Sequence, residues 1–91
     1  MSYQFKPTKK FWEQFGTLPA RQQALAREKF RVFRNDPFDP RLRTHKIHRL
    51  FAAFKRTVHA VVIEGDLRAV FYIERDIIVS FAIGTHDIYK R

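Results

Sequence analysis

The chain has 91 residues, of which 45% are hydrophobic and none is cysteine, and its 18 Lys and Arg residues against 9 Asp and Glu give a formal net charge of +9. This length suits one small domain spanning residues 1–91, and the lack of cysteine excludes disulfides and thiolate metal sites. No apolar run approaches the roughly 20 residues of a membrane span, and the first ten residues lack the apolar segment of a signal peptide. We therefore expect a cytoplasmic protein that does not bind membranes.

The N-terminal part of the chain predicts a short strand followed by two helices. Residues 3–6 form the strand, and Thr8 can N-cap a short helix with an aromatic face that ends with Gly16 in the left-handed C-terminal position. Pro19 is favoured at the first helical position of a longer helix over residues 20–33. The apolar stripe of that helix predicts a contact with the core. Its far side carries three arginines, Arg27, Arg31 and Arg34.

The middle of the chain predicts a connector and two strands. Residues 35–40 contain two prolines and three polar helix breakers, which end the second helix. Residues 44–50 are an edge-strand or extended segment. Residues 56–64 alternate as a strand, with Val58, Ala60 and Val62 on one face.

The C-terminal part predicts a β-hairpin with strands over residues 67–73 and 77–83. In the first, Leu67, Ala69, Phe71 and Ile73 share one face, and in the second the corresponding residues are Ile77, Val79, Phe81 and Ile83. If both apolar rows face one core, the loop must have an odd number of residues, which residues 74–76 provide. The order of elements predicts an α+β fold: a mainly antiparallel sheet of four or five strands with the N-terminal strand and two helices, the helices packed on one face.

The predicted hairpin register suggests a site. Arg68 shares the face opposite the apolar row with Ala82 and Gly84, so that Asp66, Arg68, His86 and Tyr89 can converge beside the hairpin. His can donate or accept a proton near neutral pH, and Arg suits phosphate, so these residues fit metal-free cleavage of RNA. Two other interpretations stay open on the residues alone: His86 as a turn residue, and Arg68 as a surface ion pair with Glu64 or Asp66.

A second candidate feature is the basic segment. Residues 41–63 contain no acidic side chain and six cations: Arg41, Arg43, Lys46, Arg49, Lys55 and Arg56. A segment of one sign attracts polyanions, and charge alone does not separate RNA, DNA and an acidic protein.

No cofactor or metal is expected. His45 and His48 are the only close histidine pair; on a strand they would point to opposite faces, and no carboxylate lies nearby to complete a tetrahedral site. The chain also lacks a Gly-rich phosphate loop.

Several motifs resemble the RelE/ParE toxin superfamily of toxin–antitoxin systems, and its YafQ-like branch in particular. They are Gly-Asp-Leu-Arg-Ala-Val-Phe-Tyr at residues 65–72 and Ile-Gly-Thr-His-Asp-Ile-Tyr at residues 83–89, with Asp-Pro-Arg at 39–41 and His-Arg-Leu at 48–50 upstream. The resemblance implies a small antiparallel sheet with two N-terminal helices. It also implies ribosome-dependent, metal-independent cleavage of messenger RNA, and an acidic antitoxin partner.

Carried over by motif, the resemblance makes His86 the principal acid or base. Asp66 and His48 would assist it, Arg68 would hold phosphate, and Tyr89 would orient or stack on a base. This chain departs from the YafQ-like pattern in having Val62 where that pattern has a His and Ala82 where it has a basic residue. The alternative is therefore a non-catalytic module, either of the ParE-like type that binds DNA gyrase or one that binds the ribosome or RNA.

Overall fold

A computed structural model describes residues 3–48 and 55–85 of the chain. Its elements in chain order are strand β1 (Gln4–Pro7), helices α1 (Lys9–Gly16) and α2 (Ala20–Asn35), a 3₁₀ turn (Pro40–Leu42), and strands β2 (His45–Lys46), β3 (Val58–Glu64), β4 (Leu67–Glu74) and β5 (Ile77–Gly84). These strands form one sheet in the order β1-β5-β4-β3-β2, in which only the β1–β5 pair is parallel. The predicted α+β fold with a mainly antiparallel sheet is confirmed.

The two helices begin where the sequence predicts, but their caps differ from the prediction. The Thr8 hydroxyl accepts a hydrogen bond from the Phe11 amide (3.1 Å), as expected for an N-cap. Gly16 is the last residue of α1 and does not have a positive φ; the C-cap is Thr17, in a right-handed conformation. Pro19 is the N-cap of α2 and lies one position before its first helical residue. In residues 3–48 and 55–85, neither helix has the length and apolarity needed to cross a membrane.

Both helices pack on the same face of the sheet, with Phe71 of β4 between the sheet and α2. The Phe71 side chain is 1% exposed, and its ring meets that of Phe33 edge to face at 4.9 Å. Helix α1 contributes Phe11 and Phe15 to the same cluster. The Gln14 side chain also joins α1 to β5 by accepting a hydrogen bond from the Ile83 amide (3.0 Å).

The opposite face of the sheet carries a second, smaller apolar cluster. It consists of Val58, Ala60, Val70 and Ala82, each of which is buried. The predicted alternation of β3 is confirmed, because Val58 and Ala60 lie in this cluster whereas Val61 and Ile63 lie on the helix side. The predicted edge strand over residues 44–50 is shorter: only His45 and Lys46 pair with β3.

The β4–β5 hairpin differs from the predicted register. Glu74 pairs with Ile77, so the loop has two residues, Arg75 and Asp76, and not the predicted three. A β-bulge restores the parity: Val70 pairs with Ala82 and Phe71 with Ser80, which leaves Phe81 as the extra residue. Ile78 and Ile83 therefore belong to the helix-side cluster. The prediction that Ile77, Val79, Phe81 and Ile83 share one face is wrong.

The two glycines with described surroundings provide a matched test of the backbone. Gly65 has φ +51° in the β3–β4 turn, whereas Gly16 has ordinary helical geometry, and an added Cβ would meet no atom within 4 Å at either position. We expect Gly65→Ala to lower the free energy of unfolding by about 1–2 kcal/mol, because L-residues are strained in the left-handed region. Gly16→Ala should raise it by about 0.5–1 kcal/mol. Urea denaturation would measure both, and equal effects would contradict the assigned conformations.

Candidate functional site

Arg68 lies on the sheet face opposite the helices, beside the β3–β4 turn. Its cross-strand neighbours are Val62 of β3 and Gly84 of β5, and it is half-buried. The guanidinium Nη1 donates to the carbonyl oxygens of Gly65 and Leu67. The predicted face shared by Arg68, Ala82 and Gly84 is confirmed by this pairing, since the bulge compensates for the shorter loop.

The ion pair between Glu64 and Arg68 that the sequence left open is not formed. The Glu64 carboxylate is instead bound by Arg21 of α2 at 3.0 Å and accepts a hydrogen bond from Gln22 at 3.4 Å. Asp66 is exposed in the turn, two residues before Arg68. The Arg68 guanidinium is therefore held by backbone oxygens, which leave its positive charge without compensation from Glu64.

The structure brings Arg68 to the end of β5, where the chain continues toward the predicted acid or base. Gly84 is the last residue of β5 and the cross-strand neighbour of Arg68. His86 follows Gly84 by two positions in the sequence, but His86 and Tyr89 lie outside the described residues. Their convergence with Arg68 and Asp66 stays a prediction.

His48 lies toward the other end of the sheet. The Ile47 amide donates to the Val58 carbonyl (2.8 Å), and Val58 pairs with Tyr72, four residues along β4 from Arg68. At about 3.3 Å per residue, that separation is about 13 Å. His48 borders a small cleft of about 120 Å³ with Lys46 and Thr57. The structure thus places His48 in a different cleft from Arg68.

The surface between these two positions is apolar. The buried cluster of Val58, Ala60, Val70 and Ala82 occupies the middle of this face. Ala82, which replaces a basic residue of the YafQ-like pattern, is only 6% exposed. Val62, which replaces a His, lies directly beside Arg68. The two departures seen in the sequence therefore remove polar groups next to the candidate site.

An aromatic and cationic group on the same face was not identified from the sequence. The Arg56 guanidinium lies 4.3 Å from the centroid of the Tyr72 ring and binds Glu74 at 3.1 Å. The Tyr72 and Phe81 rings are 5.7 Å apart. Exposed aromatic rings beside a guanidinium suit stacking of nucleobases. The sequence shows these residue types, but only the bulged register places Phe81 near Tyr72.

The basic segment is divided by its local partners. Arg41 binds Asp39 at 2.9 Å, and this hydrogen bond lowers the pKa of the Asp39 carboxyl to about 2. Arg43, Lys46 and Lys55 are exposed. Arg49 lies outside the described residues. Arg41 is thus partly neutralised, whereas the exposed cations are better placed to meet a polyanion.

His59 lies on the helix side of the sheet and cannot replace the histidine missing at Val62. Its ring stacks on Phe71 (5.3 Å, 19°) and meets Phe38 edge to face at 5.2 Å. Its Nδ1 is buried and has no hydrogen-bond partner in the described part of the chain. Burial lowers the pKa of His59, and the positive charges of Lys46 and His45 lower it further. His59 therefore has the surroundings of a core residue.

Residues 3–48 and 55–85 contain no group of three His, Cys, Asp or Glu side chains arranged to hold a metal ion. His45, one of the two histidines considered from the sequence, has its Nδ1 2.9 Å from the Arg43 carbonyl oxygen. That nitrogen is thus placed to donate to the backbone.

Solved structures of small toxins have the same fold. One is a chain of the E. coli DinJ–YafQ toxin–antitoxin complex, with 9% identity, complete coverage of both chains and a TM-score of 0.76. Another is from the Pyrococcus horikoshii RelE–RelB complex, with 14% identity, 93% and 96% coverage and a TM-score of 0.70. The YoeB/ParE toxin from Agrobacterium tumefaciens has 14% identity, 91% and 98% coverage and a TM-score of 0.69. No family sequence model and no curated protein matches the chain.

These structures establish the class of fold. The chain has the fold of the RelE/ParE-like toxins, over nearly the whole length of each chain compared. Within that class its neighbours include YafQ, as the sequence motifs predicted.

The environment of His59 predicts a pH dependence of stability. The unfolded chain binds a proton at this residue with a pKa of about 6.5, whereas the folded pKa is lower. The unfolded state therefore takes up the proton first, and the stability present above about pH 6.5 is lost as the pH falls toward the folded value, by at most about 1.4 kcal/mol per pH unit. We expect His59→Phe, which retains the ring stacking, to lose less stability than the parent between pH 7.5 and 5.5.

Urea denaturation at the two pH values would measure this difference. His48→Gln removes an exposed histidine from another cleft and should keep the pH dependence of the parent. An equal loss of stability in the parent and in His59→Phe would contradict the assigned environment.

Proposed function

We propose that this protein is the toxin of a type II toxin–antitoxin system and cuts messenger RNA on the ribosome without a metal ion. The observation that carries the proposal is the position of Arg68 beside the end of β5, two residues before His86, in a chain with the fold of YafQ and RelE. That position puts a phosphate-binding side chain close in sequence and space to the start of the Gly-Thr-His-Asp motif.

The proposed reaction uses these side chains in separate roles. The 2′-oxygen of one nucleotide loses its proton and attacks the adjacent phosphorus, the bond to the 5′-oxygen breaks, and that oxygen gains a proton. His86 exchanges one of these protons, with Asp66 and His48 assisting. Arg68 binds the phosphoryl oxygens as negative charge develops on them. Tyr89 orients or stacks on a base.

The proposed partners follow from charge and from the similar structures. Two of those structures, from E. coli and Pyrococcus horikoshii, are complexes of a toxin with its antitoxin. A chain with a net charge of +9 favours an acidic antitoxin as well as the ribosome and messenger RNA.

A second candidate function is supported by the apolar surroundings of Arg68. Val62 and the buried Ala82 take the places of two polar residues, so that the site has fewer groups for proton transfer. One of the similar structures is a YoeB/ParE toxin. The alternative is thus a non-catalytic module of the same fold that binds DNA gyrase, the ribosome or RNA.

Substitution of His86 separates the two functions. We expect His86→Gln, which cannot titrate in the physiological range, to lower cleavage of ribosome-bound message by about 100-fold to 10,000-fold, the usual contribution of one general acid or base. Ribosome binding should change little. Arg68→Ala should weaken both cleavage and binding, because its charge contacts phosphate before and during the reaction. Primer extension on translated messages and ribosome co-sedimentation would measure the two properties.

The controls address metal and fold. Cleavage by the parent should persist after chelation with EDTA, with magnesium then restored only to the level that ribosomes need. Growth arrest by well-folded His86→Gln at the parental expression level, with no message cleavage in either protein, would overturn the enzymatic proposal in favour of the binding module.

The pairing of the basic residues predicts which of them contribute to the salt dependence of RNA binding. Arg43→Ala and Lys46→Ala should each reduce the slope of log K against log salt by about 0.7, the value for one phosphate contact on a single strand. Arg41→Ala should reduce it less, because the Arg41 guanidinium is bound by Asp39. Filter binding at several salt concentrations would measure the slopes, and identical slopes for the parent and all three variants would exclude these contacts.

A further inference from the structure

We propose that the groove between α1, α2 and the sheet binds an acidic, apolar segment of the protein partner. The identification of that partner as the antitoxin rests on the proposed function, but the chemistry of the groove does not. The groove lies on the helix side of the sheet, whereas Arg68 lies on the other side. It is therefore separate from the candidate cleavage site.

The floor of the groove is apolar. Its volume is about 470 Å³, and its lining includes Phe5, Phe11, Phe30, Phe33, Val61 and Phe71. Clefts of roughly 300–1,000 Å³ are typical of sites that enclose a bound group. Trp12, also in the lining, is 50% exposed, although it is one of the largest apolar side chains of the chain. The groove therefore offers apolar surface that a partner can cover.

The rim of the groove is positively charged. Arg27, Arg31 and Arg34 line it from α2, and their spacing of four and three residues extends the row over about 10 Å of helix. The Arg27 guanidinium lies 5.1 Å from the Phe15 ring centroid. No ion pair involves these arginines within residues 3–48 and 55–85. The acidic residues of the two helices, Glu13 and Glu28, do not line the groove.

This combination favours a protein segment with carboxylates. An amphipathic helix fits a hydrophobic groove through its apolar face, and Trp and Arg are enriched among the residues that contribute most to such interfaces. Carboxylates spaced by four and three residues on the partner would match the arginine row when the two helices lie side by side. A second copy of this chain is disfavoured, since it would bring another +9 of charge. RNA is disfavoured because the floor is made of aliphatic and buried aromatic groups.

The groove contains its own spectroscopic reporter, because Trp12 is the only tryptophan in the chain. The probe is a synthetic amphipathic helical peptide with leucines on one face and glutamates at its flanks. We expect a saturable blue shift of tryptophan emission on titration of this peptide into the full chain. The same peptide with glutamine in place of glutamate should bind about tenfold more weakly, because the ion pairs with the arginine row are lost.

Two charge-reversal variants test the arginine row. Arg31→Glu/Arg34→Glu should weaken peptide binding by more than about tenfold. Lys9→Glu/Lys10→Glu makes the same change in net charge on residues that do not line the groove, and should weaken binding less than about threefold. Circular dichroism would verify that each variant is folded. Equal weakening by the two variants would overturn the proposal, because it would mean that net charge alone attracts the peptide.

Two further outcomes would also overturn the proposal. One is the absence of a saturable shift up to about 1 mM peptide, the weak limit of specific binding. The other is a shift produced by single-stranded polyuridine and abolished in Arg31→Glu/Arg34→Glu, which would assign the groove to nucleic acid. The proposed function is tested separately: a parent protein that binds the peptide but does not cut message contradicts the enzyme alone, and one that cuts but does not bind contradicts the groove alone.

Discussion

The pairing of β4 with β5 determines both functional surfaces of this protein. The bulge at Phe81 turns Ile78 and Ile83 toward the helices and keeps Ala82 and Gly84 on the other face. The first pair completes the core on which α1 and α2 rest, and Gln14 fixes α1 to the Ile83 amide. The second pair places a residue without a side chain beside Arg68. Without the extra residue, one of the two faces would have its side chains reversed.

The sheet thus separates two kinds of chemistry. On the helix side, Phe33, Phe71 and neighbouring rings form the floor of a groove with a cationic rim. On the opposite side, an exposed guanidinium at one end and an aromatic pair at the other border an apolar middle. A partner in the groove would leave Arg68 uncovered unless the partner also reaches around an edge of the sheet. Binding of a partner and contact with RNA are therefore distinct properties of the two faces.

Local signals in the sequence predicted most of the fold, and non-local ones were missed. The Thr8 cap, the start of α2 and the alternation of β3 depend on neighbouring residues, and all three are confirmed within one position. The hairpin register was wrong because β5 has apolar residues on both faces, so its alternation fits either parity. The groove was missed because Arg27, Arg31 and Arg34 follow the pattern of a solvated helix face, and only the position of α1 gives them a shared rim. The roles of His86 and Tyr89 stay predictions from the motif.

The parallel pairing of β1 with β5 has a consequence for the order of folding. Gln4 pairs with Ile77, so that the first strand finds its hydrogen-bonding partner in the last strand of the sheet. A contact of such large sequence separation costs loop-closure entropy and tends to form late. During synthesis, which proceeds from the N-terminus, β1 has no strand to join until β5 has emerged. The sheet can reach its final order only after nearly every residue between these strands has been translated.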